Sequence, residues 1–448
     1  MRARSTLLAV LGLTLLGAAL RFPTLDRQSF WLDELVTVSL LDHGLGDVLR
    51  EVPRSEATPF VYYVVAWAWG SLFGLGEVGI RTLSALAGTA TIPVAYGAGA
   101  VLVSRRAGLV AAALVAVNPF LVWYSQEARS YALLALLGAG TVLAFGHALR
   151  GSGRWLAGWA VISALAIATH YYALFLVGAE VVWLLVRVRP SRPVALASLI
   201  PAATLVAHVP LLLEQRDNGE AVTGSSLVVR IAGIPKNLVV GYSFPGEVPG
   251  SALAALLLLV GLALVVRLAP VERRGALVAG SLAAVVILVP VALALAGRDY
   301  LTARNTIVAV VPAAVCLGAG FATGRLGLAA AGALCVLSAA IALAPYMSRT
   351  LWRPYLPALR EPPPEGATVE EIASVGLATE GGYSSGKVEP PRVGTPRPVE
   401  GFRVVAVERK PTYTLVLYRA ERPTFVPLET LSALALTDEQ PGLLLQGP

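Results

Sequence analysis

Apolar residues fall along the chain in long runs, each near the length that carries an α-helix across a bilayer and each ended by a short polar or basic stretch. The first run lies in MRARSTLLAVLGLTLLGAALRF, and others follow at roughly 57–75, 82–103, 107–124, 131–149, 155–169, 171–187, 194–213, 251–267, 275–297, 304–321 and 326–346. The first, with its basic start, has the form of a signal peptide. With so many runs downstream, it is expected to stay as the first membrane helix. Beyond residue 346 the pattern changes, as prolines, glycines and charges rise and LREPPPEG marks a linker, taken as 347–366. RVVAVERKPTYTLVLYRAE then alternates apolar and polar positions on both sides of a Lys-Pro-Thr turn, which predicts two strands, and TVEEIASVGL before them suits a short helix or strand. A small α+β domain is expected over 367–435, with 436–448 as a flexible tail.

Composition turns these runs into membrane spans. With 56% hydrophobic and 14% charged residues in 448, and a mean hydropathy of +0.70, there is too little polar surface to cover a water-soluble globule. The fold class is an all-α polytopic membrane protein. A net charge of +7 does not imply a nucleic-acid partner, because the arginines are scattered one to three at a time between apolar runs. Cys316 and Cys335 both sit inside apolar runs, where a thiol packs as a small core residue, and no metal-ligand spacing occurs.

Charge decides which runs cross. Short cytoplasmic loops collect Lys and Arg. With Arg2 and Arg4 inside, residues 22–56 lie outside, which suits their seven acids against three arginines. If 57–75 also crossed, the clusters SRR at 104, RGSGR at 150, RVRPSR at 187 and VERR at 271 would all face outward. An in-plane external helix at 57–75, carrying the interface-favouring Tyr62, Tyr63, Trp67 and Trp69, returns all four to the inside. The expectation is therefore about eleven transmembrane helices plus one in-plane helix, with the C-terminal domain extracytoplasmic.

The same parity gathers the unusual polar stretches on one face: FWLDE, SEATPFVYY, GEVGIR, YSQEARSY, THYY, the loop 214–250 and RDYLTARN. Ionisable groups at a membrane boundary are expensive and mark function. Asp33 and Glu34 would thus belong to a half-buried site, with Arg81, Arg129, Arg298 and Arg304 on the same side. Arginine forks grip phosphate oxygens, and a carboxylate can take a proton from an attacking hydroxyl. The combination fits group transfer from a lipid phosphate, the arginines stabilising the leaving group. Duller roles exist for each residue: Asp33 and Glu34 as helix caps, the arginines as snorkelling anchors, His170 as an interfacial histidine. A transporter of a lipid-linked sugar would also have many spans, but here the charges cluster on one face and no inverted repeat is apparent. GLGEVG at 74 matches a dinucleotide fingerprint yet follows no strand.

The ordered set of stretches resembles the GT-C superfamily of polyprenyl-phosphate-sugar glycosyltransferases, in its protein O-mannosyltransferase-like and aminoarabinose-transferase-like branch. FWLDE resembles the family's first external loop, where an acid of an Asp-Glu pair is the catalytic base; EATPFVYY resembles its Pro-Pro-Leu-Tyr-Tyr stretch, with Thr58 in place of one proline. GIRTLSALAG, NPFLVWYSQEARSYAL and THYYALF resemble further segments, and LTARNTIVAVVP a late Arg-Tyr segment, with Asn305 where the tyrosine stands. The likeness covers roughly residues 1–346. It implies a GT-C-like transmembrane catalytic domain there and an inverting transfer of a monosaccharide from a polyprenyl-phosphate carrier to an extracytoplasmic acceptor hydroxyl on a lipid, glycan or protein. Asp33 would be the general base, with Glu34 orienting the acceptor or base. Tyr62, Arg81, Tyr124, Glu127, Arg129, Tyr131, His170, Tyr171, Arg298 and Arg304 would contact substrate. No cofactor or metal is expected, and the setting implied is the cytoplasmic membrane of a cell envelope with the active site on the extracytoplasmic face.

Overall fold

Long apolar runs fold as helices because a bilayer offers backbone groups no partner but one another. In the computed structural model the described residues are 3–26, 30, 32–187, 191–215, 226–242, 244, 246–343, 366–377, 396–410, 413–434 and 442–446. They fall into two compact units, Met1–Thr350 and Leu351–Pro448.

In the first unit α1 (Ala3–Arg21) precedes three short helices, α2 (Leu32–Leu41), α3 (Leu45–Ser55) and α4 (Val61–Phe73). There follow α5 (Glu77–Leu102), α6 (Arg105–Val117), α7 (Pro119–Tyr124), α8 (Tyr131–Ala148), α9 (Gly153–Thr169), α10 (Ala173–Arg187) and α11 (Arg192–Glu214). The rest are α12 (Leu227–Val240), α13 (Glu247–Leu264), α14 (Pro270–Leu295), α15 (Val310–Phe321), reached through a 3-10 turn at Arg304–Ala309, and α16 (Arg325–Leu343). Eight of the described helices are long and apolar enough to cross a membrane. Runs expected at 107–124, 155–169 and 171–187 appear as the shorter α6 with α7, α9 and α10. At 13 residues α4 is well below the ~20 a span needs, which suits an in-plane helix. Within the loop expected over 214–250, residues 227–240 form the helix α12 and α13 begins at Glu247.

Large apolar side chains such as Leu7, Leu196, Leu199 and Leu259 stay exposed on the outer surfaces of the helices, as a lipid-facing belt requires. Between helices, small residues allow close approach. A Cβ built on Gly99 would stand 2.6 Å from the Gly108 Cα, so α5 and α6 touch backbone to backbone. Polar side chains pin the bundle at two levels. Glu180 of α10, fully buried, accepts from Trp159 Nε1 of α9 at 2.8 Å and Thr141 Oγ1 of α8 at 3.1 Å. At the site end, Asn118 and Pro119 break the helix between α6 and α7, the Asn118 side chain accepting from Leu121 N. Buried Arg21 donates to the carbonyls of Val115 at 3.2 Å and Ala116 at 2.8 Å near this break, and to Ser125 Oγ at 3.1 Å.

The second unit holds a four-stranded antiparallel sheet in the order β2-β3-β1-β4, built from β1 (Gly366–Leu377), β2 (Phe402–Lys410), β3 (Tyr413–Pro427) and β4 (Gly442–Gln446). Val369, Ile372, Val416, Tyr418 and Val426 pack with Leu431 of the short helix α17 (Leu428–Ala433) and with Leu434 just after it. The two alternating stretches form β2 and β3 as the pattern predicts, and TVEEIASVGL resolves as a strand. The tail expected to be flexible instead carries β4, which pairs with β1 from Glu371 to Val375. Of the expected linker, 347–365 lies outside the described residues.

Candidate active site

Successive residues on a helix point about 100° apart, so Asp33 and Glu34, both in the first turn of α2, cannot serve the same partner. Glu34 turns inward. Arg81 Nε donates to Glu34 Oε1 at 2.8 Å and Arg81 Nη2 to Oε2 at 2.6 Å, the fork-on-fork geometry of a strong charge-assisted pair. The Ala128 amide adds a third donor to Oε1 at 2.7 Å, while Arg81 Nη1 donates to the Leu25 carbonyl at 2.8 Å and the guanidinium lies over the Phe30 ring. Both side chains of the pair are buried, 2% and 0% exposed. In this structure Arg81 is engaged inside the protein by Glu34, and Glu34 joins α2, α5 and the 125–130 stretch.

Asp33 turns the other way. Its side chain is half-buried at 27% exposure, and its Oδ2 accepts from Arg304 Nη1 at 3.1 Å. Arg304, 30% exposed, lies over the face of Tyr131 with its guanidinium carbon 5.7 Å from the ring centre. Arg129 reaches the back of the same turn, donating to Glu56 Oε1 at 3.0 Å, Thr37 Oγ1 at 2.8 Å and the Asp33 carbonyl at 3.2 Å. The EAR stretch of residues 127–129 thus braces both acids, Glu34 through the Ala128 amide and the Asp33 backbone through Arg129.

Aromatic rings wall the site. The ring centres of Tyr124 and Tyr131 are 4.9 Å apart and those of Tyr131 and His170 5.9 Å; the Tyr124 and Tyr242 hydroxyls hydrogen-bond. His170 is buried, its Nδ1 accepts from the Tyr172 amide, and burial together with the Arg304 and Arg129 charges pushes its pKa down to about 3. This is a neutral ring, and it packs as part of the wall. Glu127 is buried beside the wall, and Tyr62 is buried in α4.

Two expected contacts are not brought to Asp33. Tyr171 donates to Gln215 Oε1 at 2.7 Å, and Gln215 in turn holds the Val52 and Thr58 carbonyls of the α3–α4 corner. Arg298 stands exposed after α14, while the nearby Asp299 is taken by Arg230, which Asp299 accepts at 2.8 Å and which holds that carboxyl below its ordinary range. Sequence reasoning passed over Glu56, Thr37 and Tyr242. Glu56 was visible, since it opens the EATPFVYY stretch, whereas Thr37 and Tyr242 carry no local signal. Among the described residues no three His, Cys, Asp or Glu side chains gather as a metal site.

The architecture matches that of solved membrane enzymes. The crystal structure of ArnT from Cupriavidus metallidurans in the apo state superposes with a TM-score of 0.51 at 18% identity, covering 72% of this chain and 61% of that one. The archaeal oligosaccharyltransferase AglB from Archaeoglobus fulgidus, in complex with an inhibitory peptide and a dolichol-phosphate, superposes with a TM-score of 0.52 at 12% identity, covering 78% and 56%. The chain has the GT-C fold that its motifs imply. The family model that matches, over residues 57–213, is described as dolichyl-phosphate-mannose-protein mannosyltransferase. The chain spans about three-fifths of the length of the solved relatives, at 61% and 56%. No curated protein sequence matches it.

Proposed function

We propose that the protein is an inverting glycosyltransferase that moves a monosaccharide, a hexose or a pentose, from a polyprenyl-phosphate carrier to an acceptor hydroxyl on a glycan, lipid or protein. The observation that carries this reading is the half-exposed Asp33 carboxylate held by a half-exposed arginine, Arg304, against an aromatic wall. Among the described residues only Nη1 of Arg304 is engaged, which leaves Nε and Nη2 for phosphate oxygens. Asp33 accepts the proton of the acceptor hydroxyl as its oxygen attacks the anomeric carbon. The bond from that carbon to the phosphate oxygen breaks, and the departing polyprenyl phosphate takes the electron pair toward Arg304. In-line attack inverts the anomeric centre. No metal takes part in this scheme. The site is assigned to the extracytoplasmic face of the cytoplasmic membrane by the distribution of basic loops.

The test is a transfer assay with purified protein, a panel of radiolabelled polyprenyl-phosphate sugars and extracted cell-envelope acceptors. Asp33→Asn keeps shape and hydrogen bonding but cannot take the proton, so turnover should fall by at least about two orders of magnitude with donor binding retained. An Asp33 that merely capped α2 would behave otherwise, because Asn caps as well as Asp. Near-normal turnover in this variant, or donor binding with no turnover in the wild type, defeats the assignment; the latter would mark a carrier of lipid-linked sugar.

A further inference from the structure

The stretch that joins α14 to the 3-10 turn at Arg304–Ala309 has no regular structure, yet it decides where Arg304 stands. Arg304 is held loosely at its far end. Its 3.1 Å contact with Asp33 is longer than the ~2.7–2.9 Å of a tight charge-assisted bond, and the face of Tyr131 gives attraction without a fixed direction. The position of its guanidinium therefore follows the main chain from which the side chain starts.

That main chain is pinned from outside. Arg230 of α12 donates through Nη1 to Asp299 Oδ1 at 2.8 Å and to the Leu301 carbonyl at 2.8 Å, while its Nη2 pairs with Asp299 Oδ2. The Leu301 amide donates back to Asp299 Oδ1 at 3.2 Å, which closes a small turn around the guanidinium. Between them the Tyr300 carbonyl accepts from the Tyr172 hydroxyl at 2.6 Å. Downstream, the Ala303 carbonyl accepts from Thr306 N at 3.0 Å and Thr306 Oγ1 at 2.8 Å. The Arg230 side chain is only 10% exposed, so this is not the loose surface pairing that contributes little. α12 is itself tied to the site: Asn118 Nδ2 donates to the Leu238 carbonyl at 2.9 Å, and Tyr242, just past the helix, hydrogen-bonds to Tyr124 of the aromatic wall. A staple that merely fastened α12 to the bundle would need the Asp299 carboxylate alone. The bond to the Leu301 carbonyl reaches the main chain three residues before Arg304.

We infer that Arg230 is a positioning residue: by gripping Asp299 and the Leu301 carbonyl it fixes the main chain that presents Arg304, and so sets the affinity for the donor phosphate without touching the donor. This role rests on the proposed grip of Arg304 on that phosphate.

The test is equilibrium binding of a labelled polyprenyl phosphate to the full chain in detergent, with melting temperatures alongside, for Arg230→Ala, Arg304→Ala and the two combined. At a temperature where it is folded, Arg230→Ala should weaken binding about threefold to thirtyfold, the scale of coupling through an intermediary. In the Arg304→Ala background the same change should have almost no further effect, because the residue it acts through is gone. Arg230→Lys keeps a charge against Asp299 but loses the fork, and should recover part of the affinity. Should Arg230→Ala fail to fold, the Arg230→Gln/Asp299→Asn pair strands no charge and carries the same comparison with and without Arg304. A residue that only staples α12 would lower the melting temperature and either leave affinity unchanged in the folded protein or weaken it equally in both backgrounds; either result overturns the positioning role. Wild-type binding in Arg304→Ala overturns the phosphate grip and the positioning role together, whereas weakened binding there with wild-type binding in folded Arg230→Ala overturns the positioning role alone.

Discussion

The Glu34–Arg81 clamp permits a sharp experiment, because the two readings of Arg81 predict opposite outcomes. Truncating it to Ala removes, among others, the hydrogen bonds to Glu34 at 2.8 and 2.6 Å and to the Leu25 carbonyl at 2.8 Å. The Glu34 carboxylate, 0% exposed, keeps the Ala128 amide but loses the guanidinium charge beside it. Breaking a buried ion pair from one side costs about 3–5 kcal/mol, most of it the stranded charge. Glu34→Gln should cost less, since a neutral amide is cheaper to bury, and a Glu34→Gln/Arg81→Ala double variant should be less destabilised than the sum of the two single changes by ~1 kcal/mol or more, the sign of direct coupling. Arg81→Lys keeps the charge but loses the planar fork and should fall between wild type and Ala. Thermal unfolding followed by size-exclusion chromatography in detergent reads all four, alongside donor binding at a temperature where each remains folded. If Arg81→Ala melts like the wild type yet loses affinity for polyprenyl phosphate, the clamp assignment is wrong and Arg81 is a ligand contact after all.

Three further outcomes follow from the geometry. Arg304→Ala should lower affinity for the lipid-phosphate donor by about tenfold to a hundredfold, the scale of a charge-assisted contact, and Arg304→Lys should recover only part of it; equilibrium binding of labelled donor checks this, and wild-type affinity in the Ala variant would move the phosphate site elsewhere. A Cβ on Gly88 would lie 1.9 Å from Ser125 Oγ and 3.3 Å from Arg21 Nε, so Gly88→Ala should cost about 1–3 kcal/mol through overpacking, visible as a lowered melting temperature. His170 has its pKa pushed from 6.5 down to about 3, so between those values the unfolded chain binds more protons than the folded one. Stability should therefore fall as pH drops through that window, and His170→Gln should flatten this part of the melting-temperature profile.

Spans are legible in sequence because a bilayer selects on the average character of some twenty residues, and the basic loops then orient them. The same averaging hides which side chain meets which. Arg81 and Arg304 look alike beside external stretches, yet Arg81 lies one turn inside α5, buried against Glu34, and Arg304 stands partly exposed at the head of a 3-10 turn. Adjacent acids look like one motif until helix geometry sends Asp33 and Glu34 to different partners. Arg230 was overlooked because RIAGIPKN reads as loop, with Gly233 and Pro235 interrupting it, although tertiary packing holds it as α12. β4 is invisible locally, since five residues of GLLLQ gain their meaning only from β1, some seventy residues earlier in the chain.

The Asp33–Arg304 contact joins residues 271 positions apart, whereas Glu34 and Arg81 are 47 apart. During synthesis the clamp can close once α5 has entered the membrane. The carboxylate proposed as base must wait for its arginine until nearly the whole bundle has been delivered, an interval of about 15–55 s at ordinary translation rates. A nascent chain halted after α5 but before α15 would carry a secured loop and an unfinished centre, so the proposed competence for transfer arrives late, with the second-to-last described helix of the membrane unit.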